Sequence, residues 1–231
     1  ERTRRSQALA GITLHLMRLW IIRHGQTAWN AEFRAQGHTD IPLDPGGERQ
    51  AHLLAEALGA IRPYEIWTSD LLRARKTAEI LKDRVGGKLR IDSRLRERSF
   101  GGFEGLAFRE LHAKLLQKQE KDRVDAFSVR PPNGESLKDA FARLQPIAKD
   151  LFRVKEDRVV VGHGASCALL IAHLVRGSVE TSRSFRFGNT GITEFVRRPE
   201  GQFQMLRYND TSHLHEEASV LAGAVDGVSQ N

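Results

Sequence analysis

The chain has 231 residues, of which 40% are hydrophobic and 28% charged, and this suits one globular α/β domain with an ample core. Its 36 basic and 29 acidic residues give a formal net charge of +7 at pH 7. The basic residues are spread over the whole chain and only 7% of residues are aromatic, so we expect no nucleic-acid partner. No stretch approaches about 18 uninterrupted apolar residues, which excludes a membrane-spanning helix, and we expect no membrane partner.

Cys167 is the only cysteine, which excludes an internal disulfide and a zinc site built from several cysteines. It lies in an apolar stretch of predicted helix, where we expect a buried and inert thiol. A thiol-poor chain fits a reducing compartment, so a cytoplasmic location is the expectation.

The two ends of the chain differ in composition from the part between them. Residues 1–16 hold three arginines and a short mixed apolar run without a clear secretory cleavage pattern. We expect an N-terminal extension outside the fold, with Met17 at or near the natural start; the alternative is the remnant of an organellar transit peptide. Residues 216–231 are small and polar, and we expect a flexible tail. The main domain is therefore expected over residues 17–215.

The first predicted element is a short buried strand at residues 19–22, and a polar turn follows it directly. The turn reads Arg23, His24 and Gly25, and Asn30 follows shortly afterwards. A strand that ends in this way brings a guanidinium, an imidazole and a bare backbone amide to one point. Open α/β sheets bind ligands beyond the carboxyl ends of their strands, so this turn is a candidate ligand site.

Two further strand–loop–helix units repeat the arrangement. Residues 65–69 read as a strand that leads toward Arg73, and residues 158–162 read as a strand that ends at His163. The two histidines and two arginines are thus expected at equivalent strand ends. Because a guanidinium binds phosphate through two parallel hydrogen bonds, their convergence predicts a phosphate pocket.

Helical patterns alternate with the strands along the chain. Asp44 is the predicted cap of one helix, with Pro45 in its first turn, and Ser136 opens another in the manner of a capping box. Strands that alternate with helices predict an α/β fold, a three-layer α/β/α sandwich with a mainly parallel sheet. The remaining predicted elements are one helix and two late strands: residues 165–175, 192–196 and 203–208.

Five motifs in order along about residues 17–215 resemble those of the histidine phosphatase superfamily, the fold group of the phosphoglycerate mutases. The resemblance implies an antiparallel edge strand and a small helical cap insertion, which we place at residues 106–130. The matching positions are Arg23, His24, Gly25, Gln26, Thr27 and Asn30; Ser69, Arg73, Ala74, Thr77 and Ala78; Leu95, Glu97, Gly101, Glu104 and Gly105; Pro132, Gly134, Glu135 and Ser136; and Gly162, His163 and Gly164.

The resemblance implies a metal-independent phosphomonoesterase that works through a phosphohistidine intermediate. His24 would be the nucleophile, and it must be neutral; Arg23 and Arg73 favour this because they disfavour a further positive charge. Glu97 would give a proton to the leaving group and then activate the water that hydrolyses the intermediate. By the same resemblance, the phosphate-binding residues would be Arg23, Asn30, Arg73 and His163, and the substrate-binding residues Gln36 and Gly37.

Phosphatase and mutase subgroups differ in the residues around the catalytic acid. Here Glu97 is followed by residues 98–101 of the pattern Arg-Ser-Phe-Gly, and the insertion is short and lacks an adjacent arginine pair. Gln36 with Gly37 also resembles the phosphatase subgroup. We therefore expect a phosphatase whose partner is a small phosphate ester, of the phosphoglycerate or sugar phosphate type; a cofactor-dependent phosphoglycerate mutase is the alternative.

The cap insertion is charged and has helical propensity. Its basic residues would either meet a carboxylate of the substrate or form a solvated helix face. They are Arg109, Lys114, Lys118 and Arg123.

Two readings from other classes stay open. A metal-dependent hydrolase would use His24, His163 and Glu97 as ligands, although nothing in their spacing supports it. A catalytically silent protein that binds a phosphorylated ligand is the other. We expect no metal and no cofactor, and the resemblance also allows a homodimer.

Overall fold

A single sheet of six strands organises the part of the chain that the computed structural model describes, residues 16–214. The extension predicted before residue 16 and the tail predicted over residues 216–231 lie outside the described residues. In chain order the strands are β1 (Arg18–Arg23), β2 (Glu65–Thr68), β3 (Lys88–Ile91), β4 (Arg158–Gly162), β5 (Ile192–Arg197) and β6 (Phe203–Asp210).

The strand order across the sheet is β3-β2-β4-β1-β5-β6, and the first four of these run parallel. β5 pairs antiparallel with β1, and β6 pairs antiparallel with β5, so β6 runs in the same direction as the parallel group. We expected the antiparallel strand at the edge of the sheet, and this position is wrong. The one reversed strand of the described sheet lies inside it, and β6 forms the edge.

Six α-helices accompany the described strands, and two of the predicted caps are in place. The Asp44 side chain accepts a hydrogen bond from the Gly47 amide (2.7 Å), and Ser136 forms a capping box with Asp139. Strand β3 and the shortest helix were not predicted from the sequence. The helices are α1 (Ala28–Ala31), α2 (Pro45–Ala57), α3 (Leu72–Val85), α4 (Phe108–Asp122), α5 (Leu137–Arg153) and α6 (Gly164–Leu174).

Both faces of the sheet are covered, which confirms the predicted three layers. Leu19 and Ile21 of β1 pack into the cluster that includes side chains of α5 and α6. Trp20 and Ile22 pack into the opposite cluster, which includes side chains of α2 and α3. Such double burial explains why β1 and β4 read as continuous apolar runs, since a strand covered on both faces has no solvated side. Each large apolar side chain buried in this way stabilises the fold by about 1.5–3 kcal/mol.

The sheet register brings three loops together at one edge. Arg23 at the end of β1 lies opposite Gly162 of β4, and Thr68 at the end of β2 lies opposite Val161. The residues that follow these strand ends are therefore neighbours. Because β5 runs in the reverse direction, it starts at this same edge, with Ile192 opposite Ile22. Within residues 16–214, no helix combines the length and the apolar character that crossing a bilayer requires.

Candidate active site

A cavity of about 460 Å³ opens at the edge of the sheet where the parallel strands end. Seven of the eight site residues predicted from the sequence line it: Arg23, His24, Asn30, Gln36, Gly37, Arg73 and Glu97. The eighth, His163, is fully buried and stands behind His24 with 5.1 Å between the ring centroids. We call the part formed by Arg23, His24, Asn30 and Arg73 the cavity floor.

His24 is buried and held in one tautomer by its own loop. Its Nδ1 lies 2.6 Å from the carbonyl oxygen of Gly25. A carbonyl can only accept a hydrogen bond, so Nδ1 carries the proton and Nε2 keeps its lone pair. The loop is fixed in turn by Thr77 of α3, whose hydroxyl accepts a hydrogen bond from the Gly25 amide (3.0 Å). His24 therefore presents a nucleophilic nitrogen from a rigid support.

The surroundings of His24 keep its ring uncharged. Burial, and then the positive charges of Arg73 and Arg23, lower the pKa of His24 well below its ordinary value of 6.5, against the hydrogen bond to Gly25. A protonated imidazole has no lone pair with which to attack phosphorus. The lowered pKa thus keeps the ring in the form that nucleophilic attack needs at neutral pH.

Two guanidiniums of the cavity floor are positioned by backbone carbonyls. Nη1 of Arg23 donates to the carbonyl of Phe187 (2.7 Å), and Arg73 donates to the carbonyls of Thr39 (2.9 Å) and Gly37 (2.8 Å). Within residues 16–214, Nε of Arg23 and Nε of Arg73 are buried without a hydrogen-bond partner, and no carboxylate forms an ion pair with either. Burial lowers the pKa of Arg73 to about 10, so its side chain stays charged at neutral pH. Buried, unpaired cations of this kind favour an anionic ligand.

Gly37 is required by the packing around Arg73. It has a φ of +56°, and a Cβ atom at this position would lie 2.2 Å from Oε1 of Glu104. The Glu104 carboxylate accepts hydrogen bonds from the amides of His38 (2.9 Å) and Thr39 (2.8 Å), so it holds the loop that presents Gly37 to Arg73. Glu104, which the motif comparison marked without a role, is a positioning residue for the cavity floor.

Asn30 offers a free amide donor to the cavity. Its Oδ1 accepts hydrogen bonds from the amide (3.2 Å) and the hydroxyl (3.1 Å) of Thr27 and from Nδ2 of Asn189 (3.3 Å). These three contacts assign the oxygen and leave Nδ2 to donate to a ligand. Asn189 also donates to the carbonyl of His24 (3.0 Å), and nothing in the sequence motifs pointed to it.

His163 contacts the site from behind. Its Nε2 lies 2.7 Å from the hydroxyl of Ser69, and within the described residues its Nδ1 has no hydrogen-bond partner. Burial, followed by the charge of Arg73, lowers the pKa of His163 well below 6.5. The predicted contact between His163 and phosphate stays a prediction, because the side chain does not line the cavity.

Glu97 lies at the side of the cavity, where backbone amides hold its carboxylate. Oε1 accepts from the amides of Arg98 (2.8 Å) and Ser166 (3.1 Å), and Oε2 accepts from the amide of Ala165 (3.0 Å). Two of these amides belong to the first turn of α6, where the free N–H groups and the helix dipole favour an acceptor. The acid from the loop after β3 is thereby fixed in the same cavity as His24, although the two are 73 positions apart in the numbering.

Arg143 of α5 supports the loop that carries Glu97. It donates to the carbonyls of Arg94 (2.6 Å), Arg96 (3.0 Å) and Glu97 (3.1 Å), and it forms a bidentate ion pair with Glu135 (2.7 and 2.8 Å). Such a fork-shaped contact is one that lysine could not reproduce. The sequence predicted the capping-box helix that contains Arg143, but gave no signal that Arg143 contacts the loop of Glu97.

The mouth of the cavity is built from different residues than the sequence suggested. None of the four basic residues of α4 and its C-cap lines it, and Lys118 instead forms an ion pair with Asp122 (2.7 Å). The solvated-face reading of these residues is therefore the one that the structure supports. The basic residues at the mouth are Arg34, Arg183 and Arg186, and the apolar lining comprises Phe100, Phe108, Leu137, Ala168, Leu169, Phe185 and Phe187.

No cluster of three or more histidine, cysteine, aspartate or glutamate side chains within residues 16–214 has the arrangement of a metal site. Cys167 is fully buried as predicted, and burial raises the pKa of its thiol. Its Sγ contacts the carbonyl of Ile22 (3.7 Å). A buried, protonated thiol is neither a ready nucleophile nor a ready metal ligand.

The chain is similar to several known proteins. The glucosyl-3-phosphoglycerate phosphatase of Mycobacterium tuberculosis is 38% identical over 204 residues, which cover 83% of this chain and 91% of the relative. A probable phosphoglycerate mutase, GpmB, of Enterobacter sp. is 31% identical over 185 residues, which cover 77% of this chain and 84% of the relative. The structure of a phosphoserine phosphatase from Entamoeba histolytica in complex with 3-phosphoglyceric acid superimposes with a TM-score of 0.74 at 30% identity, covering 86% of this chain and 99% of that one.

The family model of the histidine phosphatase superfamily, branch 1, matches residues 19–211. This range contains every strand of the described sheet except the first residue of β1, and it contains all residues of the cavity floor. The chain belongs to the histidine phosphatase superfamily, branch 1.

Proposed function

We propose that this histidine phosphatase is a metal-independent phosphomonoesterase that hydrolyses a small phosphorylated metabolite through a phosphohistidine on His24. The observation that carries the proposal is a neutral imidazole beside the buried guanidinium of Arg73 and the half-buried guanidinium of Arg23, neither of which has an ion-pair partner among the described residues. A phosphoryl group would supply the missing negative charge. Relatives named as phosphatases of glucosyl-3-phosphoglycerate and of phosphoserine support the same reaction class.

In the first step, Nε2 of His24 attacks phosphorus and the bond from phosphorus to the ester oxygen breaks. Glu97 gives its proton to the departing alkoxide; the bound phosphate favours the protonated acid because it disfavours a second negative charge beside it. Arg23, Arg73 and Nδ2 of Asn30 bind the non-bridging oxygens, where negative charge must be stabilised. The Gly25 carbonyl stabilises the positive ring as it forms.

In the second step, the Glu97 carboxylate takes a proton from water, and the water oxygen attacks phosphorus while the bond to Nε2 breaks. Inorganic phosphate leaves, Glu97 recovers its proton and His24 returns to the neutral form. The positive charge that the reaction needs comes from the guanidiniums, so the scheme uses no metal ion.

The mutase alternative rests on the bacterial relatives that are named probable phosphoglycerate mutases at about 31% identity. A mutase must keep water from the phosphohistidine and return the phosphoryl group to a bound intermediate. The phosphatase named among the relatives is more similar, at 38% identity. We therefore propose hydrolysis as the reaction and use the mutase reaction as an outcome of the test.

The test measures phosphate release from p-nitrophenyl phosphate and from 3-phosphoglycerate, with a chelator present and no bisphosphoglycerate. We expect release by the wild type, and a loss of at least about 10⁴-fold in His24→Ala, as removal of a nucleophile causes. His52→Ala is the matched control, because His52 is an exposed histidine of α2 outside the cavity. Single turnovers quenched in alkaline denaturant, in which a phosphohistidine survives, should trap phosphate on the wild type and not on His24→Ala.

Three results would contradict the proposal. Activity that the chelator abolishes would show a metal-dependent hydrolase. Isomerisation of 3-phosphoglycerate that appears only with bisphosphoglycerate, without phosphate release, would show a mutase. Binding of phosphate without turnover of either ester would show the silent binding protein.

A cytoplasmic location, a homodimer, and the limits of the domain and of its cap remain part of the proposal. Sedimentation velocity of the full chain measures the oligomeric state directly. A variant that begins at Met17 tests the N-terminal limit, and we expect it to fold and to keep its activity.

A further inference from the structure

One segment crosses the mouth of the cavity and is anchored to the cavity floor. It runs over residues 182–187, between α6 and β5, and its members line the cavity from Ser182 through Phe187 except at position 184. The carbonyl of Phe187 accepts the hydrogen bond from Arg23 (2.7 Å). The Tyr208 hydroxyl binds both the backbone amide and the carbonyl of Arg186. The segment thus has a defined place next to the proposed phosphate site.

Arg183 and Arg186, which we call the arginine rim, are exposed and have no acidic partner. Within residues 16–214 no carboxylate lies within 4.0 Å of either guanidinium. Arg183 lies over the ring of Phe127 at 4.2 Å, and Nη1 of Arg186 donates to the carbonyls of Arg183 and Phe185 (2.9 Å each). These contacts orient both side chains without neutralising them.

Arg34, the third arginine at the mouth, by contrast forms an ion pair. Its Nε lies 2.6 Å from Oε2 of Glu32, and its Nη1 donates to the carbonyl of Gly105 (2.9 Å). Its charge is already balanced by a neighbour. The unbalanced positive charge at the mouth therefore belongs to the arginine rim alone among the described residues that line it.

Apolar side chains line the same cavity as the arginine rim and the cavity floor, and we call them the apolar wall. Four phenylalanines contribute to it, and Phe108 at the start of α4 is 49% exposed. A large exposed aromatic side chain at a cavity mouth gains stability when a ligand covers it. The cavity volume of about 460 Å³ is enough for a leaving group larger than a small alcohol. The wall comprises Phe100, Phe108, Leu137, Leu169, Phe185 and Phe187.

We infer that the arginine rim and the apolar wall form a second subsite, which selects phosphomonoesters whose alcohol carries an apolar body and a second anionic group at its far end. This inference rests on the proposed function, because it names the substrate class of the same cavity. The phosphoryl group would bind the cavity floor and the apolar body would cover the wall. The second anion would reach the arginine rim, where a guanidinium fork accepts carboxylate or phosphate.

The experiment compares kcat/KM for phenyl phosphate with that for its para-carboxy and para-carboxyethyl derivatives. A para-phosphonate derivative, whose carbon–phosphorus bond is not hydrolysed, distinguishes a preference for phosphate-like anions from one for carboxylates. The preference ratio is kcat/KM for each anionic ester divided by kcat/KM for phenyl phosphate. It is measured in the wild type and in the double variant Arg183→Gln with Arg186→Gln, which we call the rim variant. Since each ester has its own intrinsic reactivity, only the change of the ratio between proteins is interpreted.

We expect the preference for the anionic esters to fall about threefold to thirtyfold in the rim variant, the range expected for two exposed charge pairs. The wild-type preference should also shrink at high salt. Arg109→Gln with Lys114→Gln is the matched control: it removes the same total charge from the cap, outside the cavity lining, and should keep the wild-type preference.

A second arm tests the apolar wall. Phe108→Ala should lower the preference for phenyl phosphate over glycerol phosphate about three- to tenfold, because a large apolar contact is lost. Leu116→Ala is the control, since Leu116 lies on the same helix, is similarly exposed at 47%, and does not line the cavity.

The outcomes separate the two proposals. If the wild type hydrolyses none of the esters, the proposed function itself fails. If the wild type hydrolyses them but the rim variant leaves the preference ratio unchanged, the second subsite is wrong and the phosphatase stands. The same conclusion follows if the cap control shifts the ratio to the same degree as the rim variant. An unchanged ratio in Phe108→Ala would remove the apolar wall from the inference.

Discussion

The floor and the mouth of the same cavity are built on opposite principles. His24 and Arg73 of the cavity floor are almost fully buried and follow strand ends or begin a helix of the central fold. Arg183 and Arg186 at the mouth lie on the segment between α6 and β5, Phe108 begins α4, and all three are exposed. The positions of the floor residues are thus held by the packing of the sheet. The mouth depends on a few side chains that can change at little cost to the stability of the fold.

This difference separates the residues proposed to carry out phosphoryl transfer from those proposed to select the substrate. A residue of the floor contacts the phosphoryl group, which every phosphomonoester shares, so its loss should slow all substrates alike. A residue of the mouth contacts only the leaving group, so its loss should change the order of preference among substrates. The following predictions sharpen or break that division.

Glu97→Gln should have the largest effect, and the effect should depend on the leaving group. An alkyl ester such as glycerol phosphate needs a proton on its departing oxygen, and we expect a loss of about 10²- to 10⁴-fold in kcat/KM. p-Nitrophenyl phosphate releases p-nitrophenolate, which is stable as an anion. The rate of the step that forms the phosphohistidine should therefore fall far less with this ester. Pre-steady-state bursts measure that step separately from hydrolysis.

An equal loss on both esters in the burst phase would show that Glu97 is not the proton donor. The amides of Ala165 and Ser166 donate to different oxygens of Glu97, and Gln keeps one of these two acceptors, so the fold is expected to persist. Glu97 lies at the side of the cavity and not in the cavity floor, so the loss should follow the need of the leaving group for a proton and not its charge.

Arg73→Lys should slow all substrates by about 10²-fold, because one ammonium cannot replace two parallel guanidinium donors to a phosphoryl group. It also leaves the carbonyls of Gly37 and Thr39 short of a donor. The measurement is kcat/KM for phenyl phosphate and its para-carboxy derivative in parallel.

Arg75→Lys is the control for this change. It lies two residues further along α3, is exposed, and pairs only with Glu79 (2.8 Å). A loss in Arg73→Lys confined to one of the two esters would contradict the division between floor and mouth.

The smallest predicted effect concerns stability and pH. The pKa values of His24 and His163 are held well below 6.5, first by burial and then by Arg73. Below pH 6.5 the unfolded chain binds protons that the folded chain does not, so the free energy of unfolding falls as pH falls. The decrease is at most about 1.4 kcal/mol per pH unit for each histidine, down to its folded pKa.

Urea unfolding at pH 7.5, 6.5 and 5.5 measures this slope above the range in which carboxylates protonate. His163→Asn should show a shallower dependence than the wild type, because one buried titrating ring is gone. The exposed His52→Gln should match the wild type. A slope that His163→Asn leaves unchanged would mean that the buried ring does not resist protonation.

The sequence by itself determined the α/β layers and nearly all of the floor. Apolar runs that end in Arg23 with His24, or in His163, mark strands whose carboxyl ends must meet, because parallel strands in one sheet share an edge. Periodicity and caps then placed most helices. The exceptions were α1, too short to show a helical period, and β3, a half-exposed strand of four residues without a buried apolar run.

Only the tertiary structure decided how these residues are supported and what surrounds them. The Gly25 carbonyl that holds His24, the α6 amides that hold Glu97 and the fork of Arg143 are contacts between distant or backbone groups, which residue types do not encode. Whether cap residues such as Arg109 meet a substrate or solvent was left open by the sequence, because a charged helix gives no sign of which face meets the cavity; Arg109 does not line it.

The arginine rim was missed for a topological reason. Its segment precedes β5, and only because β5 runs against its neighbours does that segment end at the edge where the parallel strands finish. Had β5 been parallel, Arg183 and Arg186 would have met the opposite edge of the sheet. Strand direction is set by pairing across the sheet, not by local pattern, and so the residues of the proposed second subsite are placed by the tertiary fold.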